Sequence, residues 1–332
     1  MTTRVLLAGT GSPEHRQHHQ RTMYLPAIRQ LADQGFTVAG VWDLAGPGNG
    51  PRAADLAAET GAPLVTDVDS ALATGPDLAV VCADPAVPQT LVDTLQSLDD
   101  AGVATLMDKP TLLDTTTLTA VAERFPAVVA GHPWRFHPAL AGARPRVESG
   151  GIGRVRAVHG ELLVGPTDGP HPLGELRNLG VHALDVVQSL IGDLRGRASA
   201  VVSPAGPDGA GEAITVSLRC EPDLAVTLLI GRAGGGTGTT ARPGMVHRYR
   251  ILGSHGQLLL DLDSPGMDVI GGTSPRVMFG PSAVAAQVAA VAAGDGQPGL
   301  AVAAALGGVL DALAESARAL RAVDFGEASS AR

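Results

Sequence analysis

Residues 4–8 (Arg-Val-Leu-Leu-Ala) form a short apolar run that ends on Gly9-Thr10-Gly11, and apolar positions over 24–34 then recur at helical spacing. Apolar runs at 36–42, 63–65, 77–82 and 103–107 read as further strands, separated by helical stretches at 51–59, 87–102 and 112–124. Strands this continuously apolar are buried on both faces, and their alternation with helices specifies a parallel, doubly wound α/β sheet. In such a sheet a ligand sits outside the carboxyl ends of the strands.

Beyond residue 125 the pattern changes. A strand at 127–130, a helix at 138–149 and a partly alternating strand at 154–164 come first. Strand-like segments separated by glycine-rich turns follow at 198–203, 212–220, 225–231, 246–253 and 257–261, then alanine-rich helices at 282–293 and 301–321. The glycine-rich stretch 232–240 has no helix behind it and reads as a surface loop. The expected organisation is a Rossmann-type domain over 1–125 and an α+β domain over 126–332 with a largely antiparallel open sheet.

A chain of 332 residues exceeds the about 250–300 at which one core stops growing, which agrees with two domains. With 45% hydrophobic and 17% charged residues the chain can bury a sizeable core. Its net charge of -9 and lack of basic clusters argue against nucleic acid as a partner. No uninterrupted apolar run approaches the about 20 residues of a membrane span, and the first eight residues are too short for a secretory signal. Cys82 and Cys220, in separate apolar runs, fit a reducing compartment. The expectation is a cytoplasmic protein without a membrane anchor.

Among 24 basic residues Lys109 is the one lysine. It follows the apolar run 103–107, at the carboxyl end of a predicted strand where ligands gather. A lysine ammonium on a flexible stem acts as a point donor and can be desolvated, which guanidinium copies poorly. The turn Gly9-Thr10-Gly11 sits where a dinucleotide fold needs glycines, although the third glycine of the fingerprint is replaced within Ser12-Pro13-Glu14. Residues 12–23, with three histidines and two arginines, read as an insertion that lengthens this loop. No acidic or thiol pattern completes a metal site there.

Asp43, at the end of the second strand, suits the hydroxyls of an adenosine ribose and would repel a 2′-phosphate, so it favours NAD over NADP. Asp84 lies just past another strand end and either lines the same crevice or starts a turn before Pro85.

Taken in order, Gly9-x-Gly11, Asp43, Asp108-Lys109-Pro110, Arg135-Phe136-His137-Pro138 and Gly180-Val181-His182-Ala183-Leu184-Asp185 resemble the Gfo/Idh/MocA oxidoreductases over nearly the whole chain. The resemblance implies an enzyme that moves a hydride between a nicotinamide cofactor and a secondary alcohol or ketone of a sugar, cyclitol or related small polar molecule. It also implies a homodimer or homotetramer joined through the open sheet. Two departures stand out: Asp108 replaces the family's usual glutamate, and Asn178 replaces an aspartate four residues before the motif histidine. An amide cannot carry charge or a shuttled proton.

Within that resemblance His182 is the candidate base, since its unperturbed pKa lies near neutrality. Lys109 would favour alkoxide character on the same oxygen, and Asn178 would either orient the substrate or cap the following helix. Asp185, one turn beyond His182, either holds the imidazole or makes a structural ion pair, the latter favoured. Arg135 and His137 follow the last strand of the first domain, and His171 lies in a loop before the motif helix; all three are candidate substrate contacts, with a structural role for Arg135 equally open. The same residues also fit a redox-neutral hydrolase, lyase or epimerase with retained NAD, or a non-catalytic binding protein.

Overall fold

The computed structural model describes residues 2–11, 19–44, 50–82, 88–109, 114–165, 174–203, 212–232, 245–263, 266–270, 277–278 and 282–326. The chain divides into two compact units, Met1–Pro133 with Pro281–Ala304, and Trp134–Gly280 with Ala305–Arg332. The first segment thus runs past residue 125, and a stretch from near the chain's end joins it.

In the first unit six strands, β1 (Thr3–Ala8), β2 (Phe36–Trp42), β3 (Leu64–Val65), β4 (Leu78–Val81), β5 (Ala104–Met107) and β6 (Val129–Ala130), form a sheet of order β3-β2-β1-β4-β5-β6. All pairs are parallel. Side-chain alternation sorts the apolar runs into two layers. Val5, Leu7, Leu78, Val80, Leu106 and Val129 enter one core, and Leu6, Ala8, Ala79, Val81, Met107 and Ala130 the other. The first core is closed by α1 (Leu25–Gln30), by α2 (Gly50–Thr60) and by the helix Ala283–Ala292, through Ile28, Leu56 and Val288. The second is closed by α3 (Val68–Ala73), α4 (Pro88–Asp100) and α5 (Thr115–Arg124), with Ala71, Leu95, Leu98 and Leu118 inside it. Each fully buried leucine contributes about 1.5–3 kcal/mol relative to exposure.

The first helix starts earlier than the apolar spacing indicates. Gln20–Tyr24 already form one wide helical turn ahead of α1. Gln20 is fully buried, and its amide donates to Val80 O at 2.8 Å. A periodicity that counts apolar residues alone misses a turn whose inward side chains carry polar groups that donate hydrogen bonds.

The second unit carries nine strands: β7 (Val155–Val164), β8 (Gly196–Ser203), β9 (Ala213–Cys220), β10 (Leu224–Arg232), β11 (Val246–Gly253), β12 (Gln257–Asp261), β13 (Gly266–Ile270), β14 (Val277–Met278) and β15 (Val323–Phe325). Their order is β14-β13-β12-β11-β7-β10-β9-β8-β15, with β7 and β10 parallel and the other neighbours antiparallel. β9 shows why the sheet has one covered face: Ile214, Val216, Leu218 and Cys220 are buried while Thr215, Ser217 and Arg219 are exposed. On the covered face α6 (Pro138–Glu148) packs on β12 and β13. After the short α7 (Gly174–Asn178), α8 (Gly180–Ile191) packs on β7 and β10.

The helix Leu300–Ala319 runs for 20 residues. Among the described residues it is the one helix long and apolar enough to cross a membrane by length and composition, although 56% of its 18-residue apolar stretch is buried within the protein. Gly307 and Gly308 do not interrupt it.

Candidate functional site

In the first unit the parallel registers Ala8↔Trp42, Ala8↔Val81 and Val81↔Met107 bring four strand ends into line. The residues that follow them, Gly9, Asp43, Cys82 and the pair Asp108-Lys109, therefore share one edge of the sheet. Gly9 holds φ +73°, and a Cβ there would lie 2.4 Å from Cys82 O, so both backbone and space demand glycine. Among the described residues no atom stands within 4 Å of where a Cβ on Gly11 would be. The Gly9 and Gly11 amides donate to Trp42 O (2.8 Å) and Cys82 O (2.9 Å), so these two donors are already engaged within the sheet edge. Asp43 is half-buried, with its amide on Val65 O at 2.9 Å. Its Oδ2 lies 3.6 Å from where a Cβ on Gly50 would stand, at the first residue of α2. A glycine turn with clearance and a carboxylate on the next strand fit a dinucleotide.

Lys109 is half-buried and is held from two sides. Gly131 N donates to Met107 O at 2.7 Å, and a Cβ on Gly131 would stand 2.8 Å from Lys109 N and 2.9 Å from Met107 O. Only a residue without a side chain lets these two backbones approach so closely. On the other side Asp108 accepts from His19 Nδ1 at 2.6 Å and from the Tyr24 hydroxyl at 2.8 Å. Burial alone would raise the Asp108 carboxyl, but His19, the Lys109 ammonium and Tyr24 outweigh it and hold the group at about 2. The same surroundings raise Tyr24 and Cys82, mainly by burial and then through the Asp108 charge. The shorter carboxylate of the Asp-Lys-Pro step is thus fully engaged.

In the second unit Asn178 ends α7 and is buried. The N-cap of α8 is Leu179, with no side-chain cap, and Asn178 stands one residue ahead of it. Its amide instead donates to Glu175 Oε2 at 2.9 Å. His182 lies half-buried in the first turn of α8, its backbone N–H on Leu179 O at 3.0 Å. The helix is fixed around it. Arg135 Nε stands 2.7 Å from Asp185 Oδ1 and its NH2 donates to Gln188 Oε1 at 3.2 Å. The Tyr249 hydroxyl donates to Ala183 O at 3.4 Å.

Arg135 therefore spends much of its fork on α8, which favours its structural role. His137 is the N-cap of α6, its Nδ1 accepting from Ala139 N at 3.2 Å, and burial lowers its pKa despite Asp261. Asp84 and His171 lie outside the described residues. Reasoning from sequence passed over Gly131, Tyr24, Glu175 and His247. Of these, Gly131 carried a signal, a glycine at the end of the last parallel strand.

The chain matches no protein-family model and no curated protein. Its fold is shared with solved oxidoreductases along the whole chain. A myo-inositol dehydrogenase from Corynebacterium glutamicum is 20% identical, with 99% of this chain and 100% of that one covered and a TM-score of 0.71. UDP-N-acetylglucosamine 3-dehydrogenase from Acidithiobacillus ferrooxidans is 21% identical over 96% of this chain and 99% of that one, with a TM-score of 0.73. An Agrobacterium radiobacter oxidoreductase in complex with NAD+, L-tartaric acid and magnesium is 18% identical over 98% of both chains, with a TM-score of 0.72. These likenesses establish a parallel Rossmann-type unit followed by an α+β unit.

Proposed function

We propose that this chain is an NAD-dependent oxidoreductase acting on a secondary alcohol, or its ketone, of a sugar, cyclitol or related small polar molecule. The observation that carries the proposal is the shared edge of the first sheet, where the Gly9 turn, Asp43 and Lys109 stand together. Solved proteins of the same fold bind NADH with levoglucosan or L-sorbose at 16% identity to this chain, which supports the cofactor and the substrate class.

Asp43 would hold the adenosine ribose, and the Gly9–Gly11 turn would give the dinucleotide room to approach. Bound NAD would supply the hydride acceptor. Lys109 donates a hydrogen bond to the substrate oxygen and favours its alkoxide, a stabilisation that grows as charge develops. His182 takes the hydroxyl proton in oxidation and returns it in reduction. Asn178, with its amide nitrogen committed to Glu175, orients rather than relays. The same proposal includes self-association into dimers or tetramers, and a cytoplasmic setting in which the buried free thiols Cys82 and Cys220 stay reduced.

Titration with NADH and NADPH by fluorescence, followed by a panel of polyols with NAD, tests this. Saturable NADH binding and growth of the reduced-nicotinamide absorbance with one polyol support it. A chain that binds neither dinucleotide at high micromolar concentration overturns it, and turnover without net absorbance change assigns the redox-neutral chemistry instead.

A further inference from the structure

A cavity of about 480 Å³ lies in the second unit at the end of α8 opposite His182. Leu190, on its wall, is eight residues beyond His182, about 12 Å along the helix axis, so the cavity stands apart from the proposed base. Its lining includes the buried side chains of Leu190, Leu194 and Leu224 and the half-buried Val147, Val155 and Ile191. Both the volume and this apolar lining suit a small organic molecule, whose sites span about 300–1,000 Å³.

The charge around the cavity is mostly of one sign. Glu148, Asp193, Glu221 and Asp223 line it and are exposed, against Arg154, whose NH2 lies 3.7 Å from Asp223 Oδ2. Two of these acids stand where helix stability disfavours them. Glu148 is the last residue of α6, and Asp193 follows Gly192, the C-cap of α8. A helix C-terminus carries partial negative charge, which favours basic side chains and repels carboxylates. The last turn of α8, Gln188-Ser189-Leu190-Ile191, supplies no basic side chain of its own. Residue choices that work against local stability without a gain in the fold mark functional positions.

We propose that this cavity binds a small organic cation, an ammonium group carried on an apolar body. The body packs on the leucine and valine lining, and the ammonium meets Glu148, Asp193 and the negative ends of α6 and α8. A neutral molecule of the same shape gains the apolar contact alone, and an anion is repelled. The site uses no residue of the dinucleotide edge, so it goes beyond the proposed function and does not depend on it.

Benzylammonium, benzyl alcohol and benzoate share one apolar body and differ in charge. Ligand-observed NMR titration of each at low ionic strength compares the wild type with Glu148→Gln/Asp193→Asn and with Ile191→Trp, which fills the cavity. Benzylammonium should bind saturably and about 5-fold more tightly than benzyl alcohol, the ratio exposed ion pairs provide, with benzoate weakest. The double variant should erase that 5-fold advantage and leave benzyl alcohol unchanged. Ile191→Trp should weaken both by about 10-fold or more. Glu148 and Asp193 are exposed, so the double variant decides even if the tryptophan variant fails its thermal melt. Absence of saturable benzylammonium binding, equal affinity for the three probes, or unchanged benzylammonium affinity in either folded variant would overturn the inference. The readout involves neither NADH nor turnover, so failure of the proposed function leaves it intact.

Discussion

Arg232 Nε stands 2.5 Å from Glu175 Oε1, with the two side chains 8% and 3% exposed. The guanidinium also reaches Glu175 Oε2 at 3.3 Å and Gly165 O at 3.0 Å, and Asn178 donates to the same Oε2. A charge pair this deep is costly to desolvate, and its value lies in completeness. Removing one partner strands the other.

Arg232→Met should therefore lower stability by about 3–5 kcal/mol, while the double variant Glu175→Gln/Arg232→Met should recover much of the loss. Urea unfolding followed by circular dichroism measures both. A loss under about 1 kcal/mol in the single variant, the range of exposed pairs, would show that water reaches the carboxylate.

Acid should destabilise the protein in two windows. His247 is fully buried, its Nε2 3.0 Å from the Tyr249 hydroxyl and its ring edge-on to Trp134. Burial, helped by His137, lowers it from 6.5 to about 3. A depressed histidine favours the neutral form in the fold, so its contribution is complete above pH 6.5 and is lost as pH falls towards 3. Asp108, lowered from 3.8 to about 2, adds a second loss below pH 3.8. The expected slope is about 1.4 kcal/mol per pH unit per proton. In His247→Gln the slope between pH 6 and 4 should fall by about one proton's worth. An unchanged slope would mean that the imidazole titrates normally.

Gly131→Ala should disturb Lys109 without touching its side chain. The added methyl meets backbone atoms at 2.8 and 2.9 Å, which cannot rotate away as a side chain would. Either the strand end or the turn after β6 must shift, at a cost of about 1–3 kcal/mol. Dinucleotide binding at the Gly9 turn and Asp43 should persist, whereas turnover should fall. Full turnover in this variant would indicate that the approach of the two backbones has no bearing on the lysine.

Much of the fold was legible because its strands are continuous apolar runs and its turns are glycine-marked. The parallel sheet is an example: each run such as Val5-Leu6-Leu7-Ala8 feeds both cores, as burial on two faces requires. What escaped the pattern is what period and propensity do not encode. The turn Gln20–Tyr24 is held by a buried amide and a hydroxyl on Asp108. The helix Ala283–Ala292 looks like any apolar helix, and nothing local says that it joins the first unit. For the site, residue type pointed to Asp43, Lys109 and His182. The groups that restrain their surroundings, Gly131, His19, Glu175 and Tyr249, belong to long-range partnerships that only coordinates reveal.

Replacement of Lys109 separates charge from geometry. Lys109→Ala removes the proposed donor to the substrate oxygen and should lower kcat by about 10² to 10⁴, the range of a positioned acid–base group, with NADH binding and thermal melting unchanged. Lys109→Arg keeps the positive charge but replaces a compact donor by a planar fork. If electrostatic stabilisation alone were at work, arginine would restore most of the activity. The expectation is that it restores under about a tenth, because a hydrogen bond misplaced by about 1 Å costs about 10²-fold. Steady-state kinetics on both variants decides: full rescue by arginine assigns Lys109 a field effect, and full activity in the alanine variant removes it from the chemistry.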